Sequence, residues 1–356
     1  MKLIALFIEM QEQYLKWIAA IEQLDSVNDA QKESYKKIVA ALSKSSAPVI
    51  LNVRHFALLV GIDYNALKRM FYARDKFYRS FSIRKRSGGS RCIEAPYPSL
   101  KRVQRWILDN ILLPTAIVHP SAVGFLPQKS IVDNARPHLG QPFLLKMDIK
   151  DFFPSITEAM VIRYFRNLGY DLSLSDTLAY LCCKDKRLPQ GAPTSPLLSN
   201  VLFSDMDADL SRMAIEEDIR YTRYADDLSF SGTRIPIRVI GRVVDITGRY
   251  RLRINSEKTR RSGSKSRKII TGVSISCGKV TIPREIKREI RKKVYYVLKF
   301  GLYDHLKHIQ SRDVLAGYRL LGLLAYWHSI EPGNQYVIDS SSKLIRALHS
   351  QQKTIM

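Results

Sequence analysis

An α+β fold follows from three features of the sequence. Residues 221–232 alternate between two faces on either side of an adjacent Asp226-Asp227 pair, the pattern of two strand arms meeting at a turn. Residues 143–156 open as an apolar run and end in charge, as a strand does when it leaves a core. Stripes at helical spacing recur elsewhere: Val103, Trp106, Ile107 and Ile111; Val239, Ile240, Val243 and Ile246; Ile286, Ile290, Val294 and Leu298. With 356 residues, 46% of them hydrophobic, the chain can build two or three folded units.

Taken in order, residues 1–45 read as helix. Leu3, Leu6, Phe7, Met10, Tyr14, Trp17, Ile18 and Ile21 fall on one face. Glu9 interrupts the opening apolar stretch and no small-residue cleavage site follows, so a docked amphipathic helix is expected rather than a leader peptide. Residues 49–82 also read as mainly helical. Residues 68–91 carry nine basic residues and one acid, with Phe71, Tyr72, Phe77, Tyr78 and Phe81 interleaved. The charges suit phosphate groups; the aromatics suit either base stacking or a core. Ser87-Gly88-Gly89 reads as a tight turn between two short strands, and basic arms around such a turn could close on a triphosphate. Residues 99–113 form a helix. Residues 130–138 are polar and compact, and contain Asn134 and His138. Alone, His138 reads as a structural histidine.

Asp148 emerges at the end of the 143–156 strand, where a rigid element would hold a metal ligand. Asp151 fits a helix N-cap better. Residues 188–200 form a Gly/Pro-rich loop feeding a helix through Val201, Phe203, Met206 and Leu210. Small residues at 191–195 either let the backbone approach a ligand or make an ordinary capped loop. At Asp226 and Asp227 two like charges meet, which is unfavourable unless a cation such as Mg2+ neutralises them; a plain polar turn is the alternative. A helix over 236–252 and a strand and turn over 252–259 follow. Residues 269–275 read as a strand with 279–282 as its return partner. From Pro283 the pattern is helical, with Arg284, Arg288, Arg291 and Lys292 off the apolar stripe. That basic face is either solvated or laid along a nucleic acid.

The formal net charge of +24 favours a polyanionic partner, nucleic acid first. A membrane surface is second, but no apolar run of about 18 residues is present to span one. Cys92, Cys182, Cys183 and Cys277 show no metal-ligand spacing, and the adjacent pair reads as packed thiols of a reducing cytoplasm.

In combination, four motifs resemble the successive motifs of reverse transcriptases: Met147-Asp148-Ile149-Lys150-Asp151-Phe152-Phe153, Leu188-Pro189-Gln190-Gly191, Tyr224-Ala225-Asp226-Asp227, and Lys258 in Asn255-Ser256-Glu257-Lys258. The resemblance covers roughly residues 60–330. Within that family, Asn134-Ala135-Arg136-Pro137-His138 resembles the retron Asn-Ala-x-x-His signature, and Ile270-Thr271-Gly272 its Val-Thr-Gly signature with Ile for Val.

The resemblance implies a right-hand polymerase fold with a helical N-terminal extension (1–49). Fingers would span 50–140 and 157–203, palm 141–156 and 204–279, and thumb 280–356. It also implies an RNA-directed DNA polymerase with two Mg2+ ions on Asp148, Asp226, Asp227 and the Ile149 backbone. Arg84, Lys85, Arg91, Asp151, Phe152, Phe153, Gln190, Gly191 and Lys258 would meet the incoming nucleotide, with Phe153 as a gate against ribose and Lys258 as a proton donor. Asn134, His138, Ile270, Thr271, Gly272 and the four basic thumb residues would meet RNA. The implied partners are a cognate non-coding RNA, its DNA product, deoxynucleoside triphosphates and an effector protein in phage defence, in the cytoplasm and without a membrane. Intron-type or abortive-infection reverse transcriptases, a silent RNA-binding scaffold and an RNA polymerase compete. The Asn-Ala-x-x-His match, the crowded carboxylates and the bulk of Phe153 argue against them in turn.

Overall fold

The computed structural model describes residues 12, 14–43, 45–84 and 88–355. Its centre is a five-stranded antiparallel sheet built on β3 (Phe143–Lys150). One edge of β3 pairs with β5 (Asp227–Gly232), which pairs in turn with β4 (Arg220–Tyr224). The other edge pairs with β6 (Arg253–Ile254) near its end and β7 (Arg260–Ser262) nearer its start. β3 is central because strands pair along both its edges, with one face apolar and the other carrying Leu144, Lys146 and Asp148. Leu145, Met147 and Ile149 enter the main core, which also holds Leu210 and Met213 of helix Ser204–Glu216 and Val239, Val243 and Ile246 of helix Arg238–Arg249. Leu144 faces a second core shared with the C-terminal helices.

That C-terminal unit consists of helices Arg284–Phe300, Leu302–His308, Ala316–Ile330 and Gln335–Ile355, packed around Leu324, Trp327, Val337 and Leu344. At the other end, residues 14–22 are helical, and Ile21 packs with Val39 and Leu51. Leu3, Leu6, Phe7 and Met10 lie outside the described residues. Among the described residues, no helix is long and apolar enough to cross a membrane. Cys182 and Cys183 are buried, and burial pushes the Cys182 thiol up to about 12.

Four boundaries differ from the sequence reading. Residues 23–28 interrupt the helix expected over 1–45, which resumes as Asp29–Leu42 capped by Asn28. The helical stretch over 49–82 yields at Tyr78 to β1 (Tyr78–Arg84), which pairs in full register with β2 (Ser90–Pro96). Cross-strand pairing decides there, because alternating Phe81 and Ile83 serve either period. The helix expected through residue 210 breaks at Phe203, giving Ser195–Leu202 and Ser204–Glu216. Residues 269–275 are a hairpin, β8 (Ile269–Ile270) and β9 (Val273–Ser274), because Thr271 and Gly272 take φ of 44° and 86°. Ser274 still bridges Thr281, so the expected return pairing survives in part.

Candidate active site

β3 delivers Asp148 directly opposite Asp227, its Cα partner on β5. Asp226 occupies the turn between β4 and β5. The Ile149 amide donates to the Asp226 carbonyl at 2.9 Å, which ties that turn to the end of β3, and the Asn255 amide donates to the Asp148 carbonyl at 2.7 Å. The turn bends tightly because Ala225 takes a left-handed φ of 57°. Gly124 makes room for it: a Cβ there would lie 2.8 Å from the Ala225 nitrogen. Residues 121–123 hold the hairpin from outside, through Arg223 N–H to the Ser121 carbonyl and Val123 N–H to the Arg223 carbonyl.

The three carboxylates concentrate negative charge in a poorly hydrated place. Burial, then Asp227 and Asp148, raise the Asp226 carboxyl to about 6. Burial also raises Asp227, opposed by Lys146. Lys258 places its Nζ 2.8 and 2.9 Å from the two Asp148 carboxylate oxygens, and this contact raises the lysine's own pKa. Among the described residues, no three carboxylate, imidazole or thiol groups close on a single point. Asp148 instead spends both oxygens on Lys258. The donor set still suits hard divalent cations, because half-buried Asp226 and Asp227 retain charge that neither lysine cancels.

Beyond Asp148 the chain turns sharply. Asp151 takes a φ of 49°, and both the N–H and the hydroxyl of Ser155 donate to its carbonyl at 2.8 Å. Phe152 is buried against Phe203, with the Arg223 guanidinium over its ring, so its side chain serves the core. Phe153 is half-buried and leans on Phe125 and Phe152. In the 188–191 loop, the Gln190 carbonyl accepts from the Glu94 amide at 2.9 Å. Gly191 takes a φ of 144°, and a Cβ there would meet the Glu94 carbonyl at 2.8 Å. The close approach expected of this glycine is therefore to strand β2 of the protein itself. Arg84 and Arg91 sit exposed near the tip of the β1–β2 hairpin, with Lys85 outside the described residues.

The Asn134–His138 segment corrects the sequence reading. Asn134, His138 and Ile270 are all 0% exposed, so their side chains have no face toward a bound RNA. The segment folds inward over β4 and β5, where His138 bonds hydroxyls of both strands. Gly272 is exposed and Thr271 half-buried. On the C-terminal unit, Arg284, Arg288, Arg291 and Lys292 are exposed, and Arg291 is braced over the rings of Trp327 and Tyr336.

Sequence reasoning missed Arg223 and Asp207, a buried ion pair under the Asp226 turn. The available signal was Asp207 itself, next to Met206 and one turn before Leu210 on the apolar face of its helix.

A family model described as reverse transcriptase (RNA-dependent DNA polymerase) matches residues 83–275, which include all three carboxylates. The chain is 37% identical over 268 residues to the Retron Ec86 reverse transcriptase of Escherichia coli, covering 74% of this chain and 83% of that protein. This chain belongs to the retron reverse transcriptases. It is also 34% identical over 322 residues to the Retron Mx65 reverse transcriptase of Myxococcus xanthus, covering 82% of this chain and 71% of that protein. A telomerase structure from Candida albicans aligns at a TM-score of 0.41 and 14% identity over 74% of this chain and 58% of that one, too distant to inform the site. The retron reverse transcriptase described here thus has the α+β right-hand polymerase fold with a helical N-terminal region. It is an RNA-directed DNA polymerase, using template RNA and deoxynucleoside triphosphates.

Proposed function

We propose that this enzyme copies one cognate structured non-coding RNA in the cytoplasm. Synthesis starts from the 2'-hydroxyl of an internal guanosine and leaves a branched RNA–DNA hybrid (msDNA), which serves antiphage defence together with an effector protein. The observation that carries the catalytic part is the register of Asp148 against Asp227, with Asp226 bonded through its backbone to Ile149. Family membership supports the rest.

In this reading Asp148, Asp226, Asp227 and the Ile149 carbonyl hold two Mg2+ ions, which activate the attacking hydroxyl and stabilise charge on the leaving oxygen. The protein's own groups do the remaining work. Arg84, Lys85 and Arg91 clamp the triphosphate from the fingers hairpin, and the backbone at Asp151 and Phe152 receives it. Gln190 and Gly191 position the nucleotide, and Phe153 stands under the sugar. Lys258 already carries a proton beside Asp148 and is placed to hand it to pyrophosphate. Fingers take residues 50–140 and 157–203, palm 141–156 and 204–279, thumb 280–356. The thumb cations Arg284, Arg288, Arg291 and Lys292, beside the exposed Gly272 turn, grip RNA phosphates.

The test is to express the protein with the genomic sequence flanking its gene and sequence the nucleic acid that copurifies. One RNA joined to its own complementary DNA through a 2'–5' branch is the expected result. Unbranched DNA copied from many cellular RNAs would overturn the reading.

A further inference from the structure

We propose that the Asn134–His138 segment and the Thr271-Gly272 turn form one positioning device for the hairpin bearing Asp226 and Asp227. The proposal rests on those two residues being the catalytic carboxylates, and it replaces direct RNA contact as the role of Asn134 and His138.

The His138 ring is fully buried and both its nitrogens are bonded. Nδ1 lies 2.7 Å from the Ser231 hydroxyl and Nε2 2.8 Å from the Thr222 hydroxyl. These hydroxyls belong to β5 and β4, so a single imidazole crosses the hairpin and fixes one arm against the other. Thr222 donates its hydroxyl proton to the Asn134 carbonyl at 3.4 Å. Its oxygen is then left to accept from Nε2–H, while Nδ1 accepts from Ser231. Arg220, on the same arm, donates to the carbonyls of Pro137 and Leu139, strapping the segment to β4 a second time.

The other end of the segment reaches the thumb root. The Asn134 amide donates to the Thr271 hydroxyl at 3.5 Å, and that hydroxyl donates to the Ile131 carbonyl at 3.5 Å. Both bonds are long, but the backbone shows that Thr271 is held. A β-branched residue at φ of 44° is strained, and such strain persists only where the surroundings enforce it. Glycine would fit the backbone better, so the hydroxyl is what the position requires. The turn lies just before helix Arg284–Phe300, whose Ile290 and Val294 share a core with Ile270 and Val273.

Thr222 lies four residues before Asp226, and Ser231 four after Asp227. The clamp therefore supports the arms of the hairpin while the Ile149–Asp226 bond supports its tip. Loosening the clamp lets Asp226 and Asp227 drift from Asp148, which weakens a shared cation site without touching the RNA-facing thumb. Groups that orient metal ligands from behind change metal affinity about 10–100-fold when removed.

The experiment uses full-length protein on a poly(rA)/oligo(dT) substrate, and measures extension against Mg2+ concentration, primer–template affinity and thermal unfolding. The variants are His138→Leu, His138→Gln, Asn134→Ala and Thr271→Gly. His138→Leu should raise the half-saturating Mg2+ about tenfold with substrate affinity unchanged. His138→Gln, with one donor and one acceptor, should recover most of that loss. Asn134→Ala and Thr271→Gly should each shift the Mg2+ curve, and the double variant no further than the larger single one. Lost substrate affinity with an unmoved Mg2+ curve would assign the segment to RNA contact. A lowered melting temperature with both other readouts unmoved would leave it only a packing role. Either result overturns the proposal. If His138→Leu does not fold, an unmoved Mg2+ curve in both His138→Gln and Thr271→Gly overturns it as well. Asp226→Asn is the control: if it still extends primer, the carboxylate assignment fails rather than the clamp.

Discussion

Arg223 grips Asp207 with two nitrogens, Nε to Oδ1 at 2.8 Å and Nη2 to Oδ2 at 2.6 Å, and neither side chain has any exposure to solvent. The Tyr221 hydroxyl completes the Asp207 shell at 2.8 Å. The remaining Arg223 nitrogen, Nη1, donates to the Ala225 carbonyl at 3.2 Å, inside the turn between β4 and β5. A charged pair thus holds from below the turn that presents Asp226. Removing one member of such a pair leaves a buried charge without compensation, at a cost of about 3–5 kcal/mol. Arg223→Met should therefore cut stability by that order, and adding Asp207→Leu should restore part of it. Urea unfolding of the two variants checks this, and the double variant should still extend poorly because the turn has lost its brace.

At the turn itself, Asp226→Asn or Asp227→Asn should abolish extension while leaving RNA affinity intact, since the basic surfaces lie elsewhere. Without divalent ions, Asp226→Asn should also raise the melting temperature at neutral pH, because it removes a half-buried charge that desolvation and Asp227 both oppose. A variant that extends at the parental rate in Mg2+ would refute the catalytic assignment.

Phe153 is half-buried and packed between Phe125 and Phe152, so its ring is held firmly enough to act as a steric stop. Phe153→Val should let ribonucleotides in. Single-nucleotide extension with ribo- and deoxyribonucleotides measures this, and equal discrimination in variant and parent would remove Phe153 from the role.

The parts of this site that sequence reasoning could reach are those with a local signature. Asp148 ends an apolar strand, and Asp226 and Asp227 interrupt an alternating one; each pattern is complete within about ten residues. Arg223 and Asp207 are joined across 16 residues by the packing of a helix on β4, and an arginine in a strand reads as a surface residue until its partner is known. His138 taken alone reads as a structural histidine, but the motif resemblance implies RNA contact instead, and its bonds to β4 and β5 span 84 and 93 residues. The Thr271-Gly272 turn escaped because threonine favours strands, and tertiary bonds override that preference here.

The helix Arg284–Phe300 separates its apolar stripe from its cations, and Arg284, Arg288 and Lys292 stand exposed. Arg291 also braces Trp327 and Tyr336, so replacing it would disturb packing. The triple variant Arg284→Ala, Arg288→Ala, Lys292→Ala should weaken cognate RNA binding and flatten the dependence of log affinity on log salt by about 2–3. An unchanged slope would mean that these charges face solvent in the complex.

His138 also gives stability a pH dependence of defined sign. Burial first, then the Arg220 guanidinium, push its pKa down from 6.5 to about 4. The unfolded chain therefore binds a proton more readily than the folded one between those values. Stability from the neutral ring is fully present above pH 6.5 and is lost as pH falls toward 4. The whole shift corresponds to on the order of 3 kcal/mol. Asp226, raised to about 6, titrates in the same window with the opposite sign, so the contribution of His138 is read as the difference between parent and variant. His138→Gln should remove it while keeping a bridge between β4 and β5. Urea unfolding of parent and variant should then agree best near pH 4, where the parent has lost most of its advantage, and diverge toward pH 7. Parallel curves across that range would show that His138 does not stay neutral in the folded protein.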